Sequence, residues 1–316
     1  MNVIKILYVI FFIFITQHMF SLTWDEPWQE EVIEISDYFV LAEVKSYSDN
    51  SVNLEVEIIK NLSSKKLKGK INITGFSRLI VTSSSKGDHL KLAFEKGQKL
   101  YLFLSKNKKG FSIPTPTSGF AFLDKDNNVH ATYRHSYHQA LIPQKVYEET
   151  FTEIWNYKKL GTYNTNILTF INENLNKKPA NFDKDQINDF FLQHAAMETA
   201  YHLGLEINFE LIKGFLKFDN FHTKVSSLRV LSNSKDQKAK EYLLEVIQGD
   251  EIGNFNKVIA IWSLKEIGDK EYITKLIKVE DEISDIRQSF KSNLMDPRIG
   301  THFPSPREAV KVLKKM

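Results

Sequence analysis

The sequence predicts an α+β protein in which an N-terminal antiparallel β-barrel precedes a C-terminal α-helical solenoid. Three observations carry this expectation. Between residues 38 and 133, apolar residues alternate with polar ones in short runs separated by turn residues. From Val146 onward the spacing becomes that of a helix. Two stretches near the C-terminus, Lys240–Ile247 and Lys270–Ile277, then repeat one pattern, Tyr242/Leu243/Val246/Ile247 and Tyr272/Ile273/Leu276/Ile277, with an earlier copy at Leu211/Ile212/Phe215/Leu216. Residues at those intervals share one helix face. Recurrence about every 30 residues marks stacked helical hairpins, an architecture used to grip other macromolecules.

The first residues form a different kind of segment. Lys5 precedes an uncharged apolar run, Ile6–Thr16, which Gln17 and His18 end before Met19-Phe20-Ser21. This is a signal-peptide pattern over residues 1–21, cut after Ser21. Met19 is bulkier than the preferred alanine, so an uncleaved anchor is the rival, and only then would the chain have a membrane partner. The apolar run is about eleven residues, short of the roughly twenty that cross a bilayer. The expected location is therefore periplasmic or extracellular.

The barrel reading spans residues 22–143. Tyr38–Val44 is followed by the polar turn Ser48–Ser51 and the alternating run Val52–Ile58. Lys70–Thr74 alternates again, whereas Leu100–Leu104 is apolar throughout and suits a strand covered on both faces. Phe111–Ile113, Gly119–Leu123 and Val129–Tyr133 complete the strands, with Pro114–Gly119 as a rigid intervening loop. Residues 144–179 read as connecting helices, with faces at Tyr147/Phe151/Ile154 and Leu168/Ile171/Leu175, ended before Pro179. Residues 180–316 read as helix pairs. Their first helices carry Met197/Ala200/Leu203, Val225/Leu228/Leu231 and Ile261/Leu264/Ile267. A last helix starts at Ser305 as N-cap, with Pro306 in its first position and Glu308 completing a capping box.

The segment Ala260–Ile277, with its aliphatic first face, Gly268-Asp269 turn and Leu276-Ile277 pair, resembles a HEAT-like repeat. Gly204 matches the turn glycine in the earliest copy, whereas Ser232 stands there in the middle one. This resemblance covers about residues 185–316 and implies a binding scaffold without catalytic residues. The barrel half, through Asp37–Val44, Glu55–Ile58 and Gly97–Leu104, is loosely similar to OB-like barrels of the netrin and metalloproteinase-inhibitor type. Those inhibitors use an N-terminal cysteine and disulfides; this chain has no cysteine, so the resemblance implies a fold and no inhibitory activity.

Composition excludes several chemistries. A net charge of +3 without a concentrated basic block gives no nucleic-acid footprint. Zero cysteines exclude thiol nucleophiles, thiolate metal sites and lipid anchorage through cysteine. No Gly-x-Ser-x-Gly, His-Glu-x-x-His or clustered-glycine phosphate loop occurs.

The densest polar cluster is His130–Gln139, which holds three of the nine histidines. On a helical turn His135 and His138 would share one side, and His130 could join them as a metal site, with Asp124 or Asp126 as a further ligand. Two other readings stand beside it: a polar-aromatic junction between barrel and helices, and a partner contact through Tyr133, Arg134 and Tyr137. Asp124–Asn128 starts like a calcium loop, but Val129 replaces the sixth-position glycine and His135 the twelfth-position glutamate, so a turn is expected. Trp24 and Trp28 flank Asp25-Glu26-Pro27 and suit either packing or contact. The expected function is non-enzymatic binding of a protein or peptide, with no cofactor. The alternative is a metal-dependent hydrolase centred on His130, His135 and His138.

Overall fold

The structure is a computed structural model that describes residues 26–48, 53–76, 80–82, 89–91, 94–249, 252–288 and 303–314. The expected signal segment and Trp24 lie outside these residues.

The chain is α+β, as its two periodicities predict. A short helix α1 (Gln29–Ile35) leads into strands β1 (Tyr38–Tyr47), β2 (Asn53–Asn61), β3 (Gly69–Thr74), β4 (Ile80–Thr82), β5 (His89–Lys91), β6 (Lys99–Asn107), β7 (Gly110–Ser112), β8 (Phe120–Leu123), β9 (Asn128–Ala131) and β10 (Ala140–Pro143). Strands β1-β2-β3-β7-β6 pair in that order, and β6 returns to pair with β1, closing a five-stranded barrel. All these pairings are antiparallel except β3 with β7. The ladder continues from β6 through β8, β9 and β10, while β4 and β5 form a separate hairpin.

The continuous apolar run at 100–104 now has a physical explanation. Leu100, Leu102 and Leu104 point into the barrel with Val40, Ala42 and Val44. Tyr101 and Phe103 point the other way, with Phe39, onto helix α2 (Gln144–Leu160) through Tyr147, Phe151 and Trp155. Strand alternation thus serves two cores at once.

The sequence reading missed α1, the β4-β5 hairpin and β10. Helix α1 has only seven residues, and its start is marked by a reach-back bond from the Trp28 N–H to the Glu31 carboxylate at 2.9 Å. Strand β10 is four residues long and ends in proline, so it carries little periodicity of its own.

Helices α3 (Ile167–Leu175), α4 (Ile187–His202), α5 (Phe209–Lys217), α6 (Phe221–Val230), α7 (Gln237–Gln248), α8 (Asn254–Ile267), α9 (Lys270–Lys278) and α10 (Pro306–Leu313) follow. Helix α4 packs on α6, α6 on α8 and α8 on α10, while α5 lies against α6 and α7 against α8. The apolar pattern repeated in the sequence is what α5, α7 and α9 bury, through Ile212/Phe215/Leu216, Leu243/Val246/Ile247 and Tyr272/Leu276. Gly204 and Gly268 both adopt left-handed geometry, with φ of 64° and 71°, at the ends of α4 and α8. The middle pair lacks that glycine and instead ends α6 with a 3₁₀ turn over Leu231–Asn233. Among the described residues, no helix is long and apolar enough to cross a membrane.

Candidate functional site: a polar seam and its pocket

Glu26–Trp28 and α1 form a strap that lies across the seam between the barrel and the helical region. Its first anchor is Glu26, whose carboxylate accepts from the hydroxyls of Thr115 (2.8 Å), Thr117 and Ser118 (2.7 Å). These three belong to the Pro114–Gly119 loop. A Cβ at Gly119 would stand 2.4 Å from the Thr115 carbonyl oxygen, so only glycine lets this loop return to β8. The second anchor is backbone: the Gln29 N–H donates to the Arg134 carbonyl at 2.7 Å. Gln29 is itself fully buried.

Arg134 extends from the β9-β10 loop into the helices and is wholly buried. Its Nη1 donates to Ser226 Oγ at 3.0 Å and to the His222 carbonyl at 3.2 Å, and lies 3.5 Å from Glu198 Oε1. Its Nη2 donates to His222 Nδ1 at 2.7 Å. Glu198 also accepts from Ser226 Oγ at 2.6 Å and from Arg229 Nε at 3.0 Å. Arg229 then reaches back to Glu30 on the strap at 3.4 Å. Two arginines and two carboxylates therefore alternate across the seam, the arrangement buried charges require. Burial works against ionisation of Glu30, but the Arg229 guanidinium leads the influences that outweigh it and hold this carboxyl below its usual value.

Donor and acceptor chemistry fixes the histidine tautomers here. A guanidinium only donates, so His222 Nδ1 is bare. Ser226 gives its single proton to Glu198, so His194 Nδ1, 3.0 Å away, carries a hydrogen and its Nε2 is bare. His202 Nε2 donates to the Tyr133 carbonyl at 2.6 Å, and His135 Nε2 to the Glu26 carbonyl at 3.0 Å. His138 packs against His194 and His222, with ring centroids 4.3 and 4.1 Å apart. Neither His138 Nδ1 nor His194 Nε2 meets a hydrogen-bond partner. Burial is the leading reason that all five imidazoles are pushed down and kept neutral. His135 falls to about 4, with Glu26 opposing, and His222 to about 3, with Arg134 adding to the depression.

The arrangement parts the predicted metal trio. His130 lies on β9, partly exposed, 3.8 Å from Asp124. His135 turns to the strap, and His138 to α4 and α6. The reason is local: residues 135–138 form a tight turn closed by the His138 N–H on the His135 carbonyl, where a helical turn was expected. Among the described residues no three His, Asp or Glu side chains are placed to hold a metal. Tyr133, Arg134 and Tyr137, expected as partner contacts, are buried instead, with Tyr133 Oη bonded to Thr150 at 2.7 Å and the Arg134 guanidinium over the Tyr137 ring. Asp124 caps its own turn by accepting from the Asp126 and Asn128 N–H groups, as the turn reading expects.

Ser226, His194 and Glu198 have the residue types of a nucleophilic triad but the wrong wiring. Glu198 bonds the serine rather than the histidine, and all three are buried. This set holds helices together.

Solvent reaches the seam at one described cavity of about 270 Å³, lined by Trp28, Glu30, Tyr201, Arg229, Trp262 and Glu266 among others. Trp28 and Trp262 meet edge to face at 5.8 Å. The Arg229 guanidinium carbon lies 4.7 Å from the Trp28 ring centroid and 4.0 Å from that of Tyr201, and Tyr201 Oη donates to Glu266 at 3.1 Å. Sequence reading missed this cavity and most of the seam. One signal was available: His194, Glu198 and His202 recur every fourth residue along α4, as do His222 and Ser226 along α6.

No family model, curated protein or solved structure matches this chain.

Proposed function

We infer that the chain is an exported, non-enzymatic binding protein that holds a peptide or protein partner, with α4–α10 forming a HEAT-like array and the seam cavity receiving an anchoring side chain. The observation that carries this reading is the cavity itself. Trp, Tyr and Arg are the residue types that dominate binding energy at interfaces, and here two tryptophans, a tyrosine and an arginine converge on one solvent-reached site. Their positions are preset by the buried seam beneath, which lowers the ordering cost of association.

Capture from envelope extracts by the full chain tests the reading. Trp262→Ala removes an anchor at the cavity wall and is expected to weaken partner retention at least about tenfold, the effect of losing an interface hot spot. Phe182→Ala changes an exposed side chain elsewhere and is expected to leave retention unchanged. Equal retention by wild type and Trp262→Ala would exclude the cavity as the binding site.

A further inference from the structure

Five of the nine histidines in the sequence, His135, His138, His194, His202 and His222, are gathered at the seam. Hydrogen-bond chemistry requires two of them, His222 and His135, to keep a bare ring nitrogen where they now sit. His222 Nδ1 accepts from Arg134, and a proton placed there would turn that bond into a clash of two donors. His135 is held the same way: Nε2 donates to Glu26, and Nδ1 faces the Tyr137 N–H at 3.5 Å. His194 and His202 each already donate through one nitrogen, and the other has no partner.

We propose that this cluster is an acid-operated release: proton uptake around Arg134 opens the seam, frees the strap and removes the Trp28 and Glu30 wall of the cavity. The path is short. Arg134 holds α4 and α6 with its side chain and the strap with its carbonyl oxygen, so a displaced guanidinium disturbs both.

The charged groups facing the cluster oppose further positive charge at its centre. Around His138, His194 and His222 stand Arg134 from the β9-β10 loop and Arg229 from α6; the nearby carboxylate, Glu198 on α4, is already shared by both arginines and Ser226. On the strap side, Glu26 and Glu30 favour a proton on His135, while burial and Arg134 oppose it. Glu30 and Glu198 favour one on His202, while burial and Arg229 oppose it.

The direction follows from linkage. The closed seam keeps these rings neutral, whereas released rings titrate near their usual value of about 6.5. Closure is therefore strongest above pH 6.5 and weakens as pH falls from there toward the closed-state values. Each histidine taken up shifts the opening equilibrium about tenfold per pH unit.

Hydrogen exchange of the full chain at pH 7.0 and 5.5, corrected for the intrinsic pH dependence of exchange, tests the proposal. The expected result is at least a tenfold rise in opening for residues 26–35 and 132–138, with β1 and β6 still protected. Two variants keep the local bonds: His222→Asn retains an acceptor for Arg134, and His194→Gln a donor for Ser226. Either one, if folded by circular dichroism, is expected to flatten the profile by about tenfold per pH unit, while His130→Asn leaves it unchanged. Unchanged strap protection at pH 5.5 would overturn the proposal, as would simultaneous loss in β1 and β6, wild-type profiles in both folded variants, or a profile altered by chelator or added zinc. The consequence for partner binding rests on the function proposed above. The release does not, because exchange follows the strap with no partner present.

Discussion

Arg134 is fully withdrawn from solvent, and its bonds reach three elements: Glu198 on α4, His222 and Ser226 on α6, and Gln29 on α1 through its carbonyl. Replacement by methionine would leave His222 Nδ1 without its donor and Glu198 with one arginine instead of two. Breaking a buried charge pair this way costs about 3–5 kcal/mol. Arg134→Met is therefore expected to lower unfolding free energy in denaturant titration by that amount, while His130→Ala on the partly exposed face of β9 stays within about 0.5 kcal/mol. A loss below about 1 kcal/mol for Arg134→Met would mean that the seam carries little stability. At this scale the sequence revealed the density of polar residues at 130–139 but not their geometry. Spacing along one segment says nothing about α4 and α6, which supply the partners of the Arg134 side chain and pack against His138.

Helices were the most legible elements, because a stripe buried against a neighbour must recur at helical intervals. The repeated pattern, the Ser305 capping box and the Gly268 turn are all present. A further regularity lies in the caps: Asn208, Asp236 and Asp269 each accept from the N–H two residues on, opening α5, α7 and α9 alike. Asp269 additionally pairs with Lys240 at 2.6 Å, joining α7 to the start of α9. Asp269→Ala is expected to lower stability by about 1 kcal/mol, whereas Asp269→Asn, which keeps the cap, loses less. Thermal unfolding of the two variants side by side checks this; equal losses would assign the effect to the ion pair. Helix α1 and strand β10 were illegible for the opposite reason. Both are too short for a period to repeat, and tertiary pairing holds each of them.

Across the whole molecule, one of the buried cores joins the barrel to the helices. Phe39, Tyr101 and Phe103 leave the barrel on the side that Tyr147, Phe151 and Trp155 of α2 cover, with Phe190 and Phe191 of α4 adding to the same cluster. A fragment ending at residue 143 keeps every strand but exposes that aromatic face. It is expected to bind a hydrophobic dye and self-associate, while a fragment ending at residue 160 does so less. Equal behaviour of the two by light scattering would show that α2 is dispensable to the barrel. Strand order around the barrel was not legible, since closure of β6 onto β1 depends on twist and register more than on composition.

The strap also bears on the order in which the chain assembles. Glu30 meets Arg229 across 199 residues, and Glu26 meets its threonine partners across about 90. Contacts this distant in sequence form late, after loop closure has been achieved elsewhere. The residues that begin the described structure are therefore among the last to find their place. Arg229 and Trp262 must be in position before Trp28 can dock, so completion of the N-terminal edge reports that the C-terminal helices have folded.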